Sequence, residues 1–123
     1  MTDTKQRIWQ LYAEHIVKAA DRIEQHRLKY EKSDPTVYED ALYRNLHTIS
    51  ESADKLPDFI KKEYPHIPWH KVKGFRNLIV HDYLGDEIDI KIVNDIVYNK
   101  IPELKEAAQE ILKRYGEKET AGL

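Results

Sequence analysis

The sequence has no cysteine, only four glycines and no long apolar run. The lack of cysteine excludes a disulfide framework and a thiolate metal site. No apolar run approaches the ~20 residues that a membrane-spanning helix requires, and the first residues lack the apolar region of a signal peptide. We therefore expect a cytoplasmic protein with no membrane partner.

Positive charge is not in excess either, because 20 lysines and arginines stand against 22 aspartates and glutamates, for a net charge of −2. Proteins that bind nucleic acid through a broad phosphate footprint are usually strongly basic. Any such contact would therefore be local, at a candidate basic cluster of His66, His70, Lys71, Lys73 and Arg76. The alternative is that these residues only solvate one face, and composition by itself favours that alternative.

The sequence is rich in charge, at 34% of its residues, and in apolar residues at helical spacing. Its 123 residues suit a single domain over 1–123. Because glycine and proline are few, we predict an all-α protein, an up-and-down bundle of four main helices with short extra helices. The polar tail from about Gly116 is expected to fray.

Capping residues and apolar spacing locate the first two helices. The first helix is predicted over about 4–30, and the second begins where Asp34 caps free amides and Pro35 occupies the first turn. Apolar residues recur along the first helix at intervals of three and four, which predicts a core-facing stripe. The stripe comprises Ile8, Tyr12, Ile16, Ala19 and Ile23.

Prolines divide the rest of the chain. Pro57 ends the second helix or starts a new turn, because the residue before a proline avoids the helical region. A short helix is then predicted over 58–63 and a longer one over 69–83. Pro102 is expected to kink or divide the last helix.

The longer helix combines apolar residues with side chains suited to phosphodiester chemistry. That chemistry needs a fixed cation for developing negative charge and a group that exchanges protons near neutral pH, which histidine does best. Arg76 and His81 meet both needs within six residues. At ~100° per residue, Lys73, Arg76, Asn77 and His81 form a polar arc beside the apolar one. The alternative is a solvated face, or an ion pair with a nearby carboxylate.

The residues from Arg76 to Tyr83 resemble the R-x4-H-x-Y signature of the HEPN-domain family, specifically the HepT-like toxins. The stretch 41–53 is similar to the family's second-helix pattern, with Ser50 where glycine is usual. The stretch 64–69 resembles the family's lead-in to the motif helix. The likeness covers roughly residues 8–112.

The resemblance implies the HEPN fold, a homodimer and a metal-independent endoribonuclease with no cofactor, the toxin of a toxin–antitoxin pair. His81 would move protons during attack of the RNA 2′-hydroxyl, and Arg76 would stabilise charge on phosphorus. Asn77 and Lys73 would support them, with Asn77 holding a phosphate oxygen or the imidazole. Tyr83 would accept AMP from the partner, a minimal nucleotidyltransferase antitoxin of the MntA type.

Several alternatives stay open. Glu51 would orient Arg76 or Asn77 from the neighbouring helix, or is an ordinary exposed carboxylate. Tyr83 would equally serve as a core or interface tyrosine. His66 and His70 invite a zinc site, but Pro68 lies between them and no third ligand is evident. The last alternative is that the whole chain is a catalytically silent helical partner, or a nucleotide-binding subunit, of a nucleotidyltransferase.

Overall fold

The computed structural model describes the backbone of residues 2–75 and 90–121, and the side chains of residues 9–75 and 92–115. Within these ranges the chain is helical and has no strand, so the predicted all-α class is confirmed. The helices are α1 (Thr2–Tyr30), α2 (Pro35–Asp54), α3 (Asp58–Glu63), α4 (Trp69–Lys73), α5 (Ile90–Asp95) and α6 (Ile101–Ala121). A π-helical segment, Ile96–Lys100, joins α5 to α6.

Helix α1 lies at the centre of the packing, because it contacts both α2 and α6. Its predicted stripe is buried at Ile16, Ala19 and Ile23, and α2 contributes Leu46 and Ile49, which have no exposed surface. These positions follow the 3.6-residue helical period, so one face of each helix is removed from water. The apolar core between α1 and α2 therefore stabilises the part of the fold against which the other helices pack.

The start of α2 follows the prediction. Asp34 is the N-cap, where its side-chain oxygen accepts a hydrogen bond from the Val37 amide at 3.3 Å, and Pro35 is the first helical residue. The helix ends at Asp54, and Pro57 is the N-cap of α3. Local capping chemistry thus fixes this part of the chain.

Helix α4 begins at Trp69 as predicted and ends at Lys73; Gly74 forms a turn and Phe75 is helical again, so the predicted continuous helix over 69–83 is interrupted at Gly74. The Gly74 amide donates to the Lys71 carbonyl at 3.0 Å, a tighter turn than the α-helical one. A Cβ at Gly74 would lie 3.2 Å from that carbonyl oxygen, so glycine suits this close approach. The rest of the predicted helix, residues 76–83, lies outside the described residues.

Pro102 does not interrupt α6, but the helical turn before it is wider than an α-helical turn. It is the second residue of α6, directly after the π segment, in which the Ile101 amide donates to the Ile96 carbonyl. A proline has no amide hydrogen and crowds the preceding turn, and a wider turn accommodates both effects. Helix α6 continues past Gly116 to Ala121, where the sequence predicted fraying.

A polar network ties the end of α3 to α6. The Glu63 carboxylate accepts hydrogen bonds from Arg114 at 2.8 Å and from the Tyr115 hydroxyl at 2.6 Å. Beside it the Tyr115 ring packs edge-on against Trp9 and Phe59.

Within the described ranges, no helix is long and apolar enough to cross a membrane.

Candidate functional site

The predicted catalytic residues directly follow the junction between α2 and α4 in the sequence. Phe75 is buried and directly precedes Arg76. Arg76, Asn77, His81 and Tyr83 lie outside the described residues. Their assignments therefore stay predictions, and the junction shows how the chain is held just before them.

Helix α2 contacts Lys73, the last residue of α4, at two points. The Ser50 hydroxyl donates to the Lys73 carbonyl oxygen at 2.9 Å. One helical turn later, Asp54 lies 3.7 Å from the Lys73 ammonium group. Lys73, predicted as a supporting residue, is therefore attached to α2 through both its backbone and its side chain.

The other end of α4 is anchored to α3. The Trp69 indole nitrogen donates to the carbonyl oxygens of Lys61 and Tyr64, each at 3.1 Å. Hydrogen bonds from a half-buried indole restrict both the position and the rotation of the helix start. This short helix is thus held at its first and its last residue.

Glu51, the other described candidate, pairs with a residue of its own helix. Its carboxylate lies 2.8 Å from Nε2 of His47, one turn earlier, and both side chains are exposed. An exposed i,i+4 pair of this kind contributes little stability. That Glu51 orients Arg76 or Asn77 remains a prediction, because both possible partners lie outside the described residues.

The described members of the basic cluster lie at and before α4. His66, His70 and Lys71 are exposed. His66 lies in the connection before α4, whereas His70 lies within α4, so they do not share a helix. Among the described residues, no group of three or more histidine, cysteine or acidic side chains is placed to hold a metal ion.

A groove of about 490 Å³ lies beside α4. Phe75, Ile92 and Ile96 give it an apolar wall, and its charged lining residues are Lys71, Lys100 and Asp95. The groove therefore brings α4 together with the π segment, two elements that are far apart in the chain. It also places Lys71, from the predicted basic cluster, near a second lysine that the sequence did not single out.

Ser50 is the residue of this junction that the sequence analysis did not identify as functional. It is only 1% exposed and lies on the buried face of α2 beside Leu46, Ile49 and Ala53. A hydroxyl within an apolar stripe must find a partner, since an unpaired buried hydroxyl is costly. A serine within this apolar stripe was the sequence feature that indicated a buried hydrogen bond, although it does not identify the acceptor.

Comparison with known proteins supplies the class. The family model described as Ribonuclease HepT-like matches residues 12–111. The chain is 36% identical over 78 residues to "Putative RNase MJ0125" of Methanocaldococcus jannaschii, which is 63% of this chain and 66% of the relative. It is 28% identical over 107 residues to "Putative RNase TTE0752" of Caldanaerobacter subterraneus subsp. tengcongensis, 84% of this chain and 93% of the relative.

A third relative, "Probable ribonuclease HepT" of Thermococcus cleftensis, is 30% identical over 73 residues, 59% of this chain and 64% of the relative. No solved structure matches the chain. All three relatives carry ribonuclease names, and the all-α fold of the described residues agrees with the matched family. The chain belongs to the HepT-like ribonuclease family of the HEPN superfamily.

Proposed function

We propose that this chain is a metal-independent endoribonuclease and the toxin of a toxin–antitoxin pair. The observation that carries the proposal is that the family match over 12–111 contains the whole stretch from Arg76 to Tyr83. That stretch supplies a cation, an amide, a proton-exchanging group and a phenol. The cytoplasm is the compartment we propose for it, because an RNA-cleaving toxin acts on cellular RNA.

The reaction requires a base and an acid on opposite sides of the phosphate. The base removes the proton of the 2′-hydroxyl, the 2′-oxygen attacks phosphorus, and the bond to the 5′-oxygen breaks. The acid then protonates the departing oxygen, which leaves a 2′,3′-cyclic phosphate and a 5′-hydroxyl. We assign these proton transfers to His81, and Arg76 balances the negative charge on the phosphate oxygens.

A homodimer would satisfy the need for two proton-transfer groups. Each chain has one motif histidine, so two copies related by a two-fold axis would place two histidines and two arginines in a common cleft. The second arginine would also raise the local positive charge that the chain's net charge of −2 does not provide. Asn77 and Lys73 would hold phosphate oxygens at the edges of this cleft.

Tyr83 is the proposed point of control. Its phenolic oxygen would attack the α-phosphorus of ATP in a nucleotidyltransferase antitoxin, forming a tyrosyl–AMP bond and releasing pyrophosphate. The added phosphate would bring negative charge and bulk near Arg76, so it would compete with RNA for that cation. The antitoxin would thereby silence cleavage.

The decisive experiment for the activity compares Arg76→Ala and His81→Ala with the wild-type chain on RNA in the presence of EDTA. Each variant should lose at least ~10²-fold in cleavage rate, the usual cost of deleting a group that stabilises transition-state charge or transfers a proton. Arg44→Ala is the matched control, because Arg44 is exposed on α2 and outside the motif. It should cleave at the wild-type rate.

Three results would contradict this proposal in different ways. Wild-type cleavage by His81→Ala would remove the catalytic assignment. Activity that is lost in EDTA and restored by one metal ion would contradict metal independence and direct attention to His66 and His70. A purified wild-type chain that cleaves no RNA would favour the silent-partner alternative.

Control by Tyr83 has its own test. Co-expression with the nucleotidyltransferase encoded beside this chain should add AMP mass to the peptide that contains Tyr83 and abolish cleavage. Tyr83→Phe keeps the ring but lacks the acceptor oxygen, so it should cleave RNA and resist silencing. An adduct found by mass spectrometry on another residue would contradict the assignment.

A further inference from the structure

We propose that Ser50 is a positioning residue, which fixes through the Lys73 carbonyl the point at which the chain enters the catalytic motif. The proposal rests on the proposed function, because the residue whose placement it would set is Arg76. Lys73 lies three positions before Arg76, with Gly74 and Phe75 between them. Control of the Lys73 backbone is therefore control of the start of the motif.

The hydrogen bond from Ser50 is not the usual one for a serine within a helix. Such a hydroxyl commonly turns back to a carbonyl one turn earlier in its own helix. Here it reaches across to a residue 23 positions away, at 2.9 Å, from a side chain that is only 1% exposed. A part-buried bond between two helices restrains their separation at that point and the direction from which the Lys73 carbonyl is approached.

The acceptor lies at the end of α4. The last four carbonyl groups of any helix lack an amide partner within that helix. Lys73 is the final residue of α4, so its carbonyl oxygen has no partner within α4, and the amide four residues further on belongs to Asn77, outside the described residues. The Ser50 hydroxyl is the described donor to this part-buried acceptor, and its loss would leave the acceptor with one hydrogen bond fewer.

The other described contacts of this junction restrain α4 less tightly. The pair between Asp54 and Lys73 spans 3.7 Å, and its side chains are 51% and 64% exposed, so solvent screens it. The burial of Phe75 is stabilising but apolar contact imposes little direction. Trp69 anchors the start of α4. Among the described contacts, the directional restraint at the end of α4 therefore comes from Ser50.

The test pairs Ser50→Ala with Ser52→Ala. Ser52 is also buried on α2, so it matches Ser50 in size, helix and burial, and no hydrogen bond of its side chain to α4 is seen among the described residues. Ser50→Thr restores a hydroxyl at the same position. All variants are checked for folding by thermal unfolding, and steady-state RNA cleavage is measured for each.

Ser50→Ala should lower kcat by about tenfold with KM within about twofold of wild type, because a misplacement near 1 Å can cost up to ~10²-fold in rate. Ser50→Thr should recover most of the lost kcat, and Ser52→Ala should match wild type. Hydrogen exchange gives a second readout that needs no activity. Amides of residues 69–75 should exchange about five- to tenfold faster in Ser50→Ala alone, the factor expected for one hydrogen bond.

Two results would overturn the positioning role: unchanged kcat in Ser50→Ala, whatever its exchange rates, or an equal loss of kcat in Ser52→Ala. If Ser50→Thr does not fold, the exchange rates of the two alanine variants still decide the anchoring. A failure of the proposed function is recognised separately, because Arg76→Ala and His81→Ala would then retain cleavage. In that case the positioning role fails with it.

Discussion

Helix α2 makes two interfaces of opposite character. One is with α1, and α2 contributes Leu46 and Ile49, which are completely buried, to the apolar core. Towards α4 it presents the Ser50 hydroxyl and the exposed carboxylate of Asp54. Burying one large aliphatic side chain contributes ~1.5–3 kcal/mol, whereas one hydrogen bond contributes ~1 kcal/mol but also sets direction. The contact with α1 therefore contributes more to stability, and the contact with α4 determines the direction in which the chain leaves α4.

The largest effect should come from breaking the apolar interface. Leu46→Ala should lower the free energy of unfolding by about 2–5 kcal/mol, because it leaves a cavity in a closed core. Chemical denaturation measures the loss, with Leu11→Ala as the control, since Leu11 is 58% exposed. Cleavage per folded molecule should stay near the wild-type value. A loss below ~1 kcal/mol would show that α1 and α2 do not carry the stability.

A smaller loss should follow at a polar contact that joins α3 to α6 and includes no residue of α4. Tyr115→Phe removes the 2.6 Å hydrogen bond to Glu63 and should lower the free energy of unfolding by about 1 kcal/mol. Tyr98→Phe, which loses a longer 3.3 Å contact with Glu31, should cost less. Neither variant should change kcat. A fall in kcat for Tyr115→Phe would mean that any polar contact, and not only that of Ser50, positions the motif.

Helix α1 also contains a titratable group whose effect depends on pH. Burial, followed by the charges of Arg22 and Lys18, lowers the pKa of His15, and its buried Nε2 has no hydrogen-bond partner among the described residues. A lowered pKa means that the fold prefers the neutral ring. The contribution of neutral His15 to stability is then fully present above about pH 6.5 and is lost as the pH falls through the folded-state pKa of His15.

His15→Gln should therefore lose less stability than wild type between about pH 7.5 and pH 5. Thermal unfolding across this range measures the difference, and the exposed His66→Gln is the matched control. Equal acid sensitivity in wild type and His15→Gln would contradict the assignment.

The smallest effect should come from the exposed ion pair at α4. Asp54→Asn should change the free energy of unfolding by less than ~1 kcal/mol, and the difference should shrink as salt is added. Asp40→Asn, exposed on the same helix, is the control. Asp54→Asn should also reduce cleavage less than Ser50→Ala does. The reverse order would place the restraint on α4 in the ion pair.

The features that were predictable from the sequence are those set by neighbouring residues. Asp34 and Pro35 determine the start of α2 through local capping, and the all-α class follows from apolar spacing. The break at Gly74 was missed, because the apolar spacing of 69–83 continues through it. A single glycine within a periodic run is not by itself a reliable stop signal.

The contact between Ser50 and Lys73 could not be predicted from spacing. Its partners are 23 residues apart and meet only because α2 and α4 pack against each other. For the same reason, the sequence placed Glu51 on a polar face without showing that His47 is its neighbour. The catalytic assignments of Arg76 and His81 come from motif chemistry and family resemblance, and they remain predictions.

The π segment before Pro102 changes the phase of the last helix. Residues five apart on an α-helix differ by ~140° in direction, so Ile96 and Ile101 would point to different sides. In the structure the hydrogen-bonded turn between them is five residues wide, and both side chains are buried. The wider turn lets Ile96 line the groove beside Phe75, while α6 packs on α1. Deleting one residue from 96–100 would restore regular winding and rotate α5 relative to α6, so that Ile96 would turn away from the groove.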